Sequence, residues 1–213
     1  ACTRLPQAYQ YSPVRDIQII TPTRQGLLGT VELNKALQAR LNPPETETSQ
    51  VRSSLYEFRV GDKVMQTKNN YDITWIKKSS DNNTEKGTGI FNGDIGMILE
   101  IDCRAHEVII DFDGRLTIYP TSMLEQLELA YAITVHKSQG SEFEAVIMPI
   151  LGKMEKLSYR NLFYTAVTRA KKLLILVSTP TKIQQMLENV NQRQRYSNLK
   201  YMLLEECHHE TQD

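Results

Sequence analysis

The chain has 213 residues, room for one large domain or a domain with a small insert, and its 40% hydrophobic content supports a sizeable core. Its 25 Lys and Arg balance 25 Asp and Glu, so the global field attracts neither nucleic acid nor membrane, and any polyanion contact must come from local clusters. Cys2, Cys103 and Cys207 are odd in number, widely separated and outside any C-x-x-C pair, which signals neither a disulfide framework nor a zinc site and fits a reducing cytoplasm. No apolar run approaches the ~20 residues of a membrane span, and no signal peptide is expected ahead of the fold. The chain begins at Ala1 rather than Met, as expected of an excised piece.

Asp16 to Pro22 reads as a buried strand stopped by proline. Gly29 to Leu41 then carries a helical pattern through Val31, Leu33, Leu37 and Leu41, which completes a β-α unit. Asn42 to Gln50 is polar, broken by Pro43 and Pro44, and reads as a mobile loop. From Tyr56 the period changes. Val60 to Met65 is a strand, Gly93 to Gly96 opens another, and Val108 to Phe112 alternates against Leu116 to Tyr119 across a two-residue Asp113-Gly114 turn. Short strands at this spacing predict a small β-barrel or sheet of about 65 residues, with Ser79 to Gly89 as a polar loop. After Leu124 the parallel-sheet rhythm returns. Glu144 to Leu151 and Leu173 to Ser178 are apolar strands around a Ser158 to Ala170 helix, and Thr181 to Val190 is a closing helix. The expected division is 1–56 and 125–180 for the α/β domain, 57–124 for the insert, and 181–213 for a helix and polar tail. Cys207-His208-His209 sits among acidic residues of that tail and reads as a solvated or frayed end.

Two segments concentrate chemistry. Thr134, His136, Ser138 and Gln139 crowd hydrogen-bonding groups before Gly140, whose missing side chain permits close approach of a ligand, and Glu142 follows, placed for a ribose hydroxyl or a cation. The same cluster also reads as a capped helix start with a turn glycine. Arg169 ends a helix whose apolar face is Leu162, Phe163, Ala166 and Val167. It either complements the helix C-terminus or, aimed from a rigid element beside Thr165 and Thr168, stabilises charge on a transferring phosphoryl group. In the insert, Lys63, Lys68, Lys77, Lys78 and Lys86 accompany Tyr71, Trp75 and Phe91. Such a mixture either tracks a nucleic-acid strand or divides into barrel core and solvated skin.

Thr134 to Phe143 resembles motif V, and Leu162 to Ala170 motif VI, of the RecD-type superfamily 1 DNA helicases, the family of the exodeoxyribonuclease V α subunit. Ile19 to Arg24 is similar to motif IV, and Val64 to Tyr71 with Phe91 to Gly96 is similar to the lead into the family's SH3-like insert. The likeness runs from about Asp16 to Ser178 in the family's order. It implies an α/β fold: a RecA-like (P-loop NTPase-like) parallel-sheet domain carrying an inserted SH3-like β-barrel. By the same resemblance, Arg169 is an arginine finger on the ATP γ-phosphate and Arg24 a second phosphate contact. Gln139 and Gly140 line the nucleotide cleft, and Glu142 bonds the ribose. Thr134, His136 and Lys137 face single-stranded DNA, which Lys68, Asn69 and Asn92 meet near the insert. The implied activity is 5′ to 3′ translocation and duplex splitting in recombination or repair, either alone or with the subunits of a recombination complex.

No G-x-x-x-x-G-K-[ST] occurs in the chain, nor an acidic pair after an apolar strand. The ATP-Mg2+ site therefore needs a first RecA-like domain that this sequence does not contain, and the chain alone is expected not to hydrolyse ATP. The alternative is a non-catalytic module in which the barrel binds single-stranded nucleic acid or a protein. A nuclease would need a carboxylate cluster of metal-site character, which the sequence lacks.

Overall fold

Runs of β-branched residues build the strands that fix this architecture. The computed structural model describes residues 3–44, 50–78, 84–151 and 160–189. In chain order the elements are α1 (Arg4–Tyr9), β1 (Ile17–Thr21), α2 (Thr30–Leu41), β2 (Gln50–Arg52), β3 (Glu57–Arg59), β4 (Lys63–Gln66), β5 (Asn70–Lys78), β6 (Thr84–Ile90) and β7 (Ile95–Asp102). There follow β8 (Glu107–Phe112), β9 (Arg115–Pro120), a 3-10 turn (Thr121–Gln126), β10 (Leu127–Leu129), β11 (Ala132–Thr134), β12 (Phe143–Pro149), α3 (Arg160–Val167), β13 (Ala170–Val177) and α4 (Pro180–Glu188).

Four strands form an all-parallel sheet in the order β11-β1-β12-β13. One face packs Ile20, Val146 and Met148 under Leu162 and Ala166 of α3 and Met186 of α4, and the other packs Ile17, Ala145 and Ile147 under Leu5 of α1. Burial on both faces is why β12 reads as an apolar run from Ala145 to Pro149. Thr179 starts α4 by accepting a hydrogen bond from the Lys182 backbone N–H at 3.4 Å, with Pro180 in the first turn.

The remaining long sheet is antiparallel, ordered β10-β4-β7-β8-β9-β5-β6. It buries Ile98, Val108, Ile110, Phe112, Tyr119 and Leu127, and Tyr56 and Phe58 of the β2–β3 ribbon close over this core. The β8–β9 hairpin turns on Asp113 (φ 54°) and Gly114 (φ 82°), as expected. Because β10 pairs with β4, the antiparallel sheet extends to Leu129, past the boundary expected at 124.

Two expectations are corrected. Ser79 to Gly89 is not simply a loop: Thr84–Ile90 is β6, paired with β5 from Lys78↔Thr84 to Asn70↔Ile90, while 79–83 lie outside the described residues. A hydrogen-bonded ribbon needs no apolar run, and Trp75 lies so close over Gly87 that a Cβ there would meet the indole. In α2 the most buried stripe is not the leucine face but Thr30, Asn34 and Gln38. Those side chains serve main-chain and carboxylate partners: the Asn34 amide donates to the carbonyls of Leu129 (2.7 Å) and Ala132 (2.9 Å), and Gln38 donates to Asp62 (2.6 Å). Leu37 and Leu41 pack partly buried against the antiparallel core. The tail motif Cys207-His208-His209, residues 45–49 of the expected loop, and Ser158 and Val190 at the expected helix ends lie outside the described residues. Among the described residues no helix is long and apolar enough to cross a membrane.

Candidate functional site

β11 and β12 flank β1, so residues 135–142 must carry the chain from the C-terminal edge of the parallel sheet back to its N-terminal edge. They do so as successive turns rather than as the start of a helix. Ser138 is the internal pin, its backbone N–H bonded to the Thr134 carbonyl at 3.1 Å and its hydroxyl to the Val135 carbonyl at 2.8 Å. The Lys137 N–H donates to the Thr134 hydroxyl at 3.3 Å. With Val135 and Ser138 buried, His136, Gln139, Gly140 and Glu142 face outward. Gly140 adopts φ 84°, a left-handed conformation that disfavours any side chain, and the space where a Cβ would sit is open to a ligand.

At the N-terminal edge the second half of this crossover meets Arg169. The guanidinium donates through Nε to the Thr165 carbonyl (3.1 Å), through Nη1 to the Ser141 carbonyl (3.1 Å) and through Nη2 to the Thr168 hydroxyl (3.2 Å). The Arg169 carbonyl accepts from the Phe143 N–H at 2.9 Å, so crossover and arginine are tied twice. Arg169 therefore complements the C-terminus of its helix, the first of its two readings. It satisfies the last turn of α3, and three of its five N–H donors are accounted for by these bonds. Glu142 stands 3.9 Å from Lys171 and is largely exposed. Ser141, next to Glu142, is thus tied to Arg169 at this edge, with Gln139 and Gly140 just upstream in the crossover.

Arg24 is not with them. The loop after β1 leaves the C-terminal edge, and Arg24 supports the start of α2 through its carbonyl, which accepts from the Val31 N–H at 3.2 Å. Its Nη2 lies 2.6 Å from Glu128 Oε1, and Glu128 Oε2 lies 3.3 Å from Lys137 Nζ. The two arginines expected to share phosphate duty occupy opposite edges, because strand direction decides where each loop emerges. Arg24 instead joins Thr134 and Lys137.

Lys68, Asn69, Tyr71, Phe91 and Asn92 form an exposed group on the antiparallel sheet. The Asn92 N–H donates to the Asn69 carbonyl oxygen Oδ1 at 3.0 Å, and Tyr71, 66% exposed, meets the Phe91 ring edge-on at 5.6 Å. The chain reaches this group from β4 and is held to the end of the 3-10 turn, since Thr67 bonds the Gln126 carbonyl through both N–H and hydroxyl at 2.8 Å. Lys63 does not belong to it: the ammonium is buried 5.7 Å from the centroid of the Phe143 ring, and burial pushes it down to about 8. Lys77, Lys78 and Lys86 are exposed on the β5–β6 ribbon.

Sequence reasoning missed the residues that join the two sheets. Asp62 accepts from Gln38 (2.6 Å), Asn42 (2.7 Å), the Tyr131 hydroxyl (2.8 Å) and the Arg59 N–H (2.8 Å). Burial raises the Asp62 carboxyl against the lowering effect of these bonds, and burial with the neighbouring Asp62 charge raises the Tyr131 phenol. The Gln18 amide holds the carbonyls of Ala130 and Tyr131 at 3.0 and 3.1 Å. The signal available in sequence was the polar spacing Thr30, Asn34, Gln38, Asn42 along one helix face.

Residues 33–112 match the family model described as the ATP-dependent RecD-like DNA helicase SH3 domain, and residues 129–177 match the UvrD-like helicase C-terminal domain. The chain belongs to the RecD-like helicase family. It is 40% identical over 155 residues to the ATP-dependent RecD2 DNA helicase of Deinococcus radiodurans, an alignment covering 73% of this chain and 19% of that protein. Against the RecBCD enzyme subunit RecD of Mycolicibacterium smegmatis it is 33% identical over 102 residues, 48% of this chain and 18% of that one. The chain thus spans about a fifth of the length of these RecD-like relatives. In fold it is similar to a Bacteroides Pif1 bound to single-stranded DNA, with a TM-score of 0.52 at 16% identity over 89% of this chain and 44% of that one. The RecD-like assignment accounts for both sheets, a RecA-like parallel sheet and an SH3-like insert.

Proposed function

We propose that this chain is the second motor domain of an ATP-dependent DNA helicase, translocating 5′ to 3′ along single-stranded DNA in recombination or repair in the cytoplasm. The observation that carries the reading is the bond from Arg169 to the Ser141 carbonyl, which ties motif VI to the crossover that carries Gln139, Gly140 and Glu142. A first RecA-like domain supplies the P-loop, and Arg169 reaches across to neutralise charge growing on the γ-phosphoryl group. Gln139 and Gly140 line the cleft, and Glu142 leaves Lys171 for the ribose hydroxyl. Thr134, His136 and Lys137 contact the DNA strand, and Lys68, Asn69 and Asn92 extend the path onto the insert, with Tyr71 and Phe91 as stacking surfaces. Among the described residues no group of three or more His, Cys, Asp or Glu is placed to hold a metal.

The crossover supports coupling because its two ends lie at opposite edges of one sheet. A change in phosphate occupancy at Arg169 moves a segment whose other end grips DNA. In the full-length parent, Arg169→Ala should lower DNA-stimulated ATP turnover by about 10³-fold, and Arg169→Lys by nearly as much because it lacks the planar fork. Affinity for single-stranded DNA should stay within about twofold. A parallel loss of DNA affinity would overturn the finger assignment, as would ATP turnover by the 213-residue chain alone that Arg169→Ala abolishes.

A further inference from the structure

One carboxylate holds two cations where the insert joins the motor. Glu128, on the edge strand β10, bonds Arg24 at 2.6 Å and Lys137 at 3.3 Å, one cation from the loop after β1 and the other from the crossover. Its side chain is 18% exposed, against 57% for Arg24 and 31% for Lys137. The anchor is stiff: Leu129 and Ala132 are tied to Asn34, Ala130 and Tyr131 to Gln18, and the Ala130 N–H to the Lys63 carbonyl at 2.8 Å. The cations sit on long, flexible stems and carry one more positive charge than Glu128 neutralises. A carboxylate bridging an Arg and a Lys has the geometry of a phosphate bridging the same pair. This cluster adjoins Thr134 and stands one strand away from the segment that leads to Lys68.

We propose that Arg24 and Lys137 form a phosphodiester-binding site whose resident occupant is Glu128, a built-in competitor that yields both cations when a DNA backbone phosphate arrives. The inference rests on the helicase reading and assigns Arg24 to the DNA strand rather than to the nucleotide. It also gives the insert a means of sensing DNA, since the phosphate that captures Lys137 breaks a link between β10 and the crossover.

The test is fluorescence anisotropy of a labelled oligo(dT) with the full-length parent, without nucleotide, over a range of salt concentrations. Glu128→Gln should bind several-fold tighter at low salt, because no carboxylate has to be displaced from the two cations. Glu128→Asp keeps the competitor and should stay close to wild type. Should Glu128→Gln fail to fold, the double variant Arg24→Gln with Lys137→Gln must flatten the slope of log affinity against log salt by about 0.7. Unchanged or weakened binding by a folded Glu128→Gln overturns the competitor, and an unchanged slope in the double variant overturns the site. Failure of the wild-type parent to bind oligo(dT) at all would instead sink the helicase reading.

Discussion

Replacing Lys63 with Met should make the protein more stable. Lys63 is 4% exposed, and its Nζ has no hydrogen-bond acceptor among the described residues; it lies over the face of Phe143. Burial is the main cause that lowers the ammonium from its ordinary 10.5 to about 8, and the Asp16 charge offsets only part of it. Between about pH 8 and 10.5 the unfolded chain binds more protons than the folded one, so stability rises with pH across that window. Below the window both states are charged, and folding carries the whole penalty, about 3 kcal/mol at about 1.4 kcal/mol for each tenfold change in proton affinity. Met retains an unbranched stem of similar reach without the charge. In equilibrium urea unfolding at neutral pH, Lys63→Met should raise the midpoint by the equivalent of about 2–3 kcal/mol with an unchanged m-value. Near pH 10 the advantage should shrink to below about 1 kcal/mol, because folded wild type has by then shed the proton. A destabilised variant, or an advantage that does not change with pH, would refute the buried-charge argument.

Two further substitutions probe the joints of the structure. A Cβ on Gly96 would stand 2.8 Å from Phe112 and 2.9 Å from the Asp111 carbonyl, so Gly96→Ala should lose about 1–3 kcal/mol by overpacking; a neutral thermal shift would show that the hairpin yields freely. Asp62→Ala strands four donors at the helix–insert joint and should lose about 3 kcal/mol or more in chemical denaturation, whereas a loss under about 1 kcal/mol would mean that water replaces the carboxylate.

The parts legible in sequence were those set by local rules. β1 and β12 announced themselves because strands covered on both faces are mostly apolar, and Asp113-Gly114 because a two-residue turn demands positive φ at both positions. β6 was illegible because its stability comes from the ladder with β5 and the ring of Trp75 rather than from its own Thr, Lys and Gly residues. The face of α2 was misjudged because Asn34 and Gln38 serve groups at residues 57, 62, 129 and 132, which no local pattern connects to the helix. Of the candidate site, Arg169 is tied to the crossover at Ser141 and Phe143. Arg24 went elsewhere, since the edge at which a loop emerges depends on how distant strands pair.

β6 is the terminal strand of its sheet, and such a position invites association between molecules. Exposed Thr84, Glu85 and Lys86 lie along it, and Glu85 sits opposite Lys77, so a second chain seeking to extend the sheet there would have to bury charge. The polarity that makes this stretch look like a loop in sequence is also what keeps a solvent-facing ribbon from templating aggregation.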